Sequence, residues 1–267
     1  MSKSVDVSRV QQVLLSMAVS IRDVLDRHDI PYMMAYGTLL GAVRHKGFIP
    51  WDDDLDFYLF DDSYERAIQY LREELPADYF VEDEKSEPLY FHGWAHVKDL
   101  KSIAVCEEYP QDSLYAHKGI SVDLYRTKQI PLKELNKSLN QGIQEYIQRR
   151  KDKGLISEQD YANRMRKLQS KLEAPNPYEN DEKQVYDLVP QEGCCCYMEE
   201  KDVLPLKKYQ FQNEEFYGPN DADAVLTTCY GDYMRLPPEE NRVCHYSSVD
   251  SFEAGIVLER GDCCIYE

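Results

Sequence analysis

Several common protein classes are excluded by what the chain lacks. Its eight cysteines form no C-x-x-C pair, so the ligand spacing of a zinc ribbon or a dithiol motif is missing. Cys194-Cys195-Cys196 and Cys263-Cys264 are runs of adjacent residues. In a chain of 267 residues they read as free, partly buried thiols rather than a disulfide framework. No apolar run approaches the roughly 20 residues that span a bilayer. The start, Met1 to Val7, lacks the apolar core of a signal peptide. The expectation is therefore a cytoplasmic protein, with peripheral contact at the inner face of the membrane as its nearest approach to a bilayer. Positive charge is also scarce, with 31 Lys and Arg against 49 Asp and Glu and a net charge of -18. That balance argues against a nucleic-acid polymer or an anionic membrane as main partner, since both are polyanions. It leaves room for a nucleotide whose phosphates are carried by metal ions. No repeat, low-complexity tract or clean domain boundary interrupts the sequence, so one domain over 1–267 is expected.

The most informative stretch runs from Tyr36 to Asp56. Residues 7–28 before it carry Val10, Val13, Leu14, Met17, Ile21, Val24 and Leu25 at three-four spacing, which predicts a helix ended by Pro31. Residues 32–36 read as a first strand. Gly37 breaks it, and Thr38 is placed to cap a short helix through Val43. Such a strand–turn–helix unit aims backbone N–H groups at one point and suits a phosphate. Arg44-His45-Lys46 then forms either a solvated basic loop or a contact for substrate phosphate.

Residues 51–60 read as a second strand with period two. Asp54, Asp56 and Tyr58 share one face; Leu55, Phe57 and Leu59 share the other, and Asp53 falls with them. Asp52 has the right parity but lies beside the Pro50 turn. Asp54 and Asp56 are thus selected as a D-x-D pair able to hold a divalent cation through oxygen. The competing reading is an edge strand with solvated acids. Residues 119–125 form another apolar strand with Asp123 inside it. If that strand lies beside the Asp54–Asp56 strand, three acids can bridge two metal ions. These features point to metal-dependent phosphotransfer.

The rest reads more coarsely. Asp62 is placed to cap a helix ending before Pro76. Residues 77–90 look loop-like, and 94–99 with 102–106 look like a hairpin. Lys98 in that hairpin is either exposed or turned to phosphate. Residues 132–173 predict an inserted helical hairpin whose basic surface either touches an anionic acceptor or, as is commoner, is a solvated face. Residues 203–219 suggest a second β-hairpin, and Asn220 is placed to cap a helix to Tyr230 with Gly231 beyond its end.

Three stretches resemble the LicD family of phosphocholine transferases, related to fukutin within the nucleotidyltransferase-fold superfamily. They are residues 28–56, Ser121-Val-Asp-Leu-Tyr125, and Tyr230-Gly-Asp-Tyr-Met-Arg-Leu-Pro-Pro-Glu-Glu240. The resemblance implies an α+β fold, a nucleotidyltransferase-like mixed β-sheet flanked by helices. It implies Asp54 and Asp56 as metal ligands, Asp123 as the third acid, and Gly37-Thr38 as the phosphate turn. Thr38 departs from the small residue usual there, and Leu124-Tyr-Arg-Thr-Lys128 departs from the family's Phe-Pro-Leu-Asp. The implied activity moves phosphocholine from CDP-choline to a sugar hydroxyl on lipopolysaccharide, teichoic acid, capsule or a lipid-linked glycan precursor, releasing CMP. The implied cofactor is Mg²⁺, one ion or two, with Mn²⁺ as substitute. Arg44, His45 and Lys98 are candidate phosphate contacts. Rival readings are a nucleotidyltransferase, a transferase using CDP-ribitol or CDP-glycerol, and a non-catalytic glycan-binding protein.

Overall fold

A computed structural model describes residues 5–106, 114–172, 175–188, 197–242 and 244–251. The cysteine runs at 194–196 and 263–264 lie outside the described residues. Helix α1 (Val7–Arg27) is capped by Asp6, whose carboxylate accepts the Arg9 N–H at 3.3 Å. It buries Leu14, Met17, Ala18, Ile21 and Leu25 completely, the stripe its spacing predicts.

The main sheet has five strands in the order β1 (Tyr32–Met34), β2 (Asp56–Phe60), β6 (Ser121–Thr127), β4 (Ala95–Asp99) and β3 (Tyr79–Glu82). Strands β2 and β6 run parallel and the other neighbours antiparallel, so the sheet is mixed. Helices α1 and α3 (Tyr64–Glu74) pack together and against this sheet. Phe57, Leu59, Val81, Ala95, Val97, Val122 and Leu124 alternate onto one face and join the buried cluster with α1. The opposite face carries Asp56, Tyr58, Asp123, Tyr125, His96, Lys98 and Glu82. A sheet apolar on one side and chemically equipped on the other is what positions the site.

Several expectations are corrected. Strand β2 begins only at Asp56, because residues 52–55 are pinned as a loop by side-chain bonds described below. Residues 77–90 include β3. The strands β4 and β5 (Ser102–Cys106) follow one another but do not pair, and β5 pairs instead with β12 (Tyr246–Ser251) from the far end of the chain. Helix α2 (Tyr36–His45) starts two residues before Thr38, with Ala35 at its cap. The Thr38 hydroxyl is buried and accepts the Asp56 N–H at 2.9 Å, which ties helix to strand. Helix α3 has Ser63, not Asp62, at its cap position and no side-chain cap bond. Asp221, not Asn220, caps α7 (Ala222–Tyr230), accepting the Ala224 N–H at 3.0 Å. Gly231 follows with φ +65°, as its place beyond the helix end requires.

The helical hairpin forms as expected, with α4 (Leu135–Asp152) and α5 (Glu158–Leu172). Ser157 caps α5 through the Asp160 N–H. A small sheet of β7 (Gln129–Pro131), β8 (Gln184–Asp187) and β9 (Tyr197–Glu199) flanks the hairpin in sequence. Short helix α6 (Glu200–Val203) leads into the hairpin of β10 (Lys207–Phe211) and β11 (Glu214–Gly218).

Candidate active site

One rung of the main sheet carries four ionisable residues, one from each of four adjacent strands. Asp56 on β2 is paired with Asp123 on β6, Asp123 with His96 on β4, and His96 with Glu82 on β3. Partners in register project to the same side of a sheet. The adjacency of Asp56 and Asp123, conditional in the sequence, is a property of the fold. Asp123 keeps a dense set of donors. Its Oδ2 accepts from Trp94 Nε1 at 3.0 Å and from the Tyr125 hydroxyl at 3.1 Å.

The loop before β2 supplies the remaining acids. Gln11 of α1 donates to the carbonyls of Ile49 and Asp52 at 3.0 and 2.8 Å, which fixes the loop from below. Asp53 is fully buried and accepts the backbone N–H groups of His245 and Tyr246, each at 2.8 Å. These bonds draw the start of β12 to the acid loop. The His245 imidazole then lies 3.1 Å from Asp53 Oδ1 and 3.5 Å from Asp54 Oδ2. Asp52, Asp54 and His245 each present one ligand atom, all within 4.8 Å of one another. Asp52, which its place beside the Pro50 turn leaves out of the D-x-D pair, joins this cluster because residues 52–55 are a loop and not a strand. Gly37 permits this approach, since a Cβ there would stand 2.9 Å from Asp52 Oδ2.

The electrostatics record crowding. Burial pushes the Asp52 carboxyl up to about 9, and the charge and hydrogen bond of Asp54 add to it. Burial also raises Asp54, with Asp53 adding repulsion and His245 opposing. Asp56 is raised by burial first and then by Asp54, Asp123 and Asp52. His245 moves up to about 9, chiefly through its bond to Asp53, with the Asp54 charge helping against burial. Carboxylates that resist ionisation beside one another are relieved by a cation. An oxygen-rich set with one imidazole is a donor set that could hold a divalent metal ion.

A cavity of about 960 Å³ opens over these groups. Asp52, Asp54, Asp56, Asp123 and Gly37 line it, as do Lys98 and His245. Lys98 is buried, its Nζ 4.0 Å from Glu82 Oε2. Arg44 and His45 do not line the cavity. The Arg44 guanidinium instead donates to the Tyr233 carbonyl at 2.6 Å and to His45 Nε2 at 2.9 Å. Tyr36, with φ +38°, holds a strained backbone at the cavity wall while its ring packs against Tyr58 and Tyr125.

The helical hairpin is not merely a solvated face. Ser138, Leu139, Gly142, Tyr146 and Arg149 of α4 line the cavity, and Arg164 of α5 joins them. Arg149 Nε donates to the Phe91 carbonyl at 3.1 Å and fastens the helix to the opposite rim. The local signal was present in the i, i+3, i+4 spacing of Ser138, Gly142, Tyr146 and Arg149, with a glycine in mid-helix where it is otherwise unfavourable. His96 also had a signal, two residues from Lys98 in one strand. His245 had none, because its place depends on a strand pairing across most of the chain.

Residues 29–130 match the LicD/FKTN/FKRP nucleotidyltransferase domain. The chain is 25% identical over 266 aligned positions, covering 91% of it and 97% of the relative, to the lipopolysaccharide cholinephosphotransferase LicD of Haemophilus influenzae. It is 28% identical over 123 residues to an uncharacterised protein of Rickettsia prowazekii, covering 39% of this chain and 42% of that one. A Rickettsia typhi protein, also uncharacterised, is 29% identical over 113 residues, covering 39% and 36%.

Proposed function

The chain belongs to the LicD family, and from that footing we propose that it transfers phosphocholine from CDP-choline to a sugar hydroxyl of a cell-surface glycan or its lipid-linked precursor, releasing CMP. The observation that carries the reading is a coincidence of two facts. Similarity to a cholinephosphotransferase runs nearly end to end, and the in-register acids Asp56 and Asp123 open into a cavity walled from three parts of the chain.

In the proposed reaction the acceptor oxygen attacks the choline-bearing phosphorus in line. The new P–O bond forms as the bond to the CMP phosphate breaks, and CMP leaves with the electron pair. Asp54 and Asp56, with Asp52 and His245 beside them and Asp123 completing the set, would hold Mg²⁺ or Mn²⁺, which would supply charge neutralisation on the diphosphate. Asp123 is the proposed acceptor of the attacking hydroxyl's proton. Of the three candidate phosphate contacts Arg44, His45 and Lys98, Lys98 is the one at the cavity wall. The walls exclude water, which otherwise competes with the sugar hydroxyl for the same phosphorus. Most of the acceleration then comes from positioning and fixed charge. The domain is proposed to span 1–267, with α4 and α5 as its insertion. Among the described residues no helix is long and apolar enough to cross a membrane, so a lipid-linked acceptor would be met at the bilayer surface.

Purified protein with CDP-choline, Mg²⁺ and a glycan acceptor should release CMP and add phosphocholine mass to the acceptor. Asp54→Ala and Asp56→Ala should each lower turnover at least about 100-fold while the fold persists. Full turnover in both variants sinks the site. An acceptor that instead gains a nucleotide or a polyol phosphate sinks the donor assignment.

A further inference from the structure

The rung that holds Asp56 and Asp123 continues into residues for which the transfer reaction gives no role. His96 and Glu82 extend it across β4 and β3. Glu82 is fully buried and His96 is 4% exposed. The imidazole stands between two carboxylates, with Nε2 3.3 Å from Asp123 Oδ1 and Nδ1 3.7 Å from Glu82 Oε2. Its ring is walled by Tyr90 and His92, whose ring centroids lie 5.3 and 4.9 Å away. Burying a carboxylate behind a histidine is costly, and apolar residues would hold the sheet as well or better. The same strands do place apolar residues on their other face. The rung is therefore retained for something other than packing.

The geometry suggests what. Asp123 sits between Asp56 on one side and His96 on the other. Asp56 is its in-register neighbour on β2, and the His96 Nε2 stands 3.3 Å from its Oδ1 on the β4 side. Trp94 and Tyr125 occupy Oδ2, so Oδ1 is the oxygen His96 restrains. We propose that His96, backed by Glu82, is a positioning residue that sets the orientation of Asp123 and hence the gap between the Asp56 and Asp123 carboxylates. Glu82, with no exposed surface, backs the ring and also stands 4.0 Å from the Lys98 ammonium. The inference rests on the reading of Asp56 and Asp123 as a cation-holding pair.

The test uses the full chain and two readouts, Mn²⁺ affinity by calorimetry and CMP release from CDP-choline at saturating Mn²⁺. His96→Leu should weaken Mn²⁺ binding about 10–100-fold, as loss of an outer partner of a ligand does. Its kcat should fall by a similar factor while KM for CDP-choline moves less than about threefold, which separates positioning from substrate contact. His96→Gln, which can still present an N–H toward Asp123, should recover both readouts to within about fivefold of wild type. Glu82→Gln should lose about three- to tenfold in Mn²⁺ affinity with the ring left in place.

A folded His96→Leu protein with wild-type affinity and kcat overturns the inference, as does a His96→Gln protein no better than His96→Leu. If His96→Leu fails to fold, Glu82→Gln decides, and an unchanged affinity there overturns it. The two readings fail separately. Wild type that releases no CMP, with the variants still graded in Mn²⁺ affinity, removes the donor assignment alone. Wild type that turns over CDP-choline while His96→Leu matches it removes the positioning role alone.

Discussion

Replacing Asp53 tests the architecture of the site more directly than replacing a ligand. Asp53 is fully buried in the acid loop, where it accepts two backbone N–H groups at 2.8 Å and stands 3.1 Å from the His245 ring. Hydrogen bonds to an ionised acceptor contribute about 1.5–3 kcal/mol each. Asp53→Ala removes the acceptor and leaves two amides of a partly buried segment without it. Two such bonds, discounted for water reaching the exposed side of His245, give an expected loss of about 3 kcal/mol. Asp53→Asn keeps one carbonyl oxygen and loses the charge, so about half that loss is expected. The assay is urea denaturation of metal-free protein, read alongside Mn²⁺ calorimetry. Asp53→Ala should also weaken Mn²⁺ binding, because His245 is no longer held beside Asp54. Amide exchange at His245 and Tyr246 should quicken in both variants. A stability within about 1 kcal/mol of wild type, with unchanged Mn²⁺ affinity, would refute the claim that Asp53 fastens the chain's far end to the acid loop.

Other outcomes follow from the same geometry. Metal-free protein should lose stability as pH rises from about 6.5 to about 9. The folded state keeps a proton on Asp52 up to about 9 that the unfolded chain releases above 3.8, and His245, raised from 6.5 to about 9, binds more tightly when folded. In that window the native state holds more protons, so the slope is negative; thermal midpoints that stay flat or rise would contradict it, and saturating Mn²⁺ should remove most of the slope. Gly37→Ala places a methyl group 2.9 Å from Asp52 Oδ2, so Mn²⁺ affinity and turnover should fall about tenfold or more with little change in unfolding free energy; unimpaired turnover would show that Asp52 is not held there. Gly119→Ala puts Cβ 1.7 Å from the Asp99 carbonyl oxygen, a backbone clash expected to cost about 3 kcal/mol or more or to leave insoluble protein. Arg149→Ala unfastens α4 from the Phe91 carbonyl, so KM for CDP-choline should rise while Mn²⁺ affinity at the proposed cation site stays unchanged; unchanged kinetics would mean that the hairpin does not close the cavity.

What was legible in the sequence and what was not divides along physical lines. Helix α1 was readable because its buried stripe repeats at helical spacing over 21 residues. Strand β6 was readable because one acid interrupts strict apolar alternation. The α+β class and the inserted hairpin followed from such local periodicities. The error at residues 52–55 came from extending period two beyond the strand. Those residues are held by Gln11, His245 and Tyr246, partners 38 or more positions away that no local pattern announces. Residues 77–90 hid β3 because its four residues alternate weakly and are half buried at one end. The β4–β5 reading assumed that consecutive strands pair, whereas β5 turns away to receive β12.

The placement of the acids then has a common cause. A loop gains freedom from strand parity and gathers Asp52, Asp53 and Asp54 at one corner, with Asp53 and Asp54 both turned to His245. The strands give the opposite property, a fixed rung on which Asp56, Asp123, His96 and Glu82 must project together. In the proposed cation site the rung supplies carboxylates at a fixed backbone register, and the loop supplies Asp52 and Asp54 beside His245. Because the loop is fastened by Asp53 to residues 245 and 246, the site is complete only when the chain's far end has returned to β5. Folding therefore precedes function here in a specific sense: truncation before Cys244 should leave the sheet and its rung intact while depriving the acid loop of the partners that shape it. A truncated protein ending at residue 242 that folds and binds Mn²⁺ as tightly as the full chain would show that the rung alone suffices.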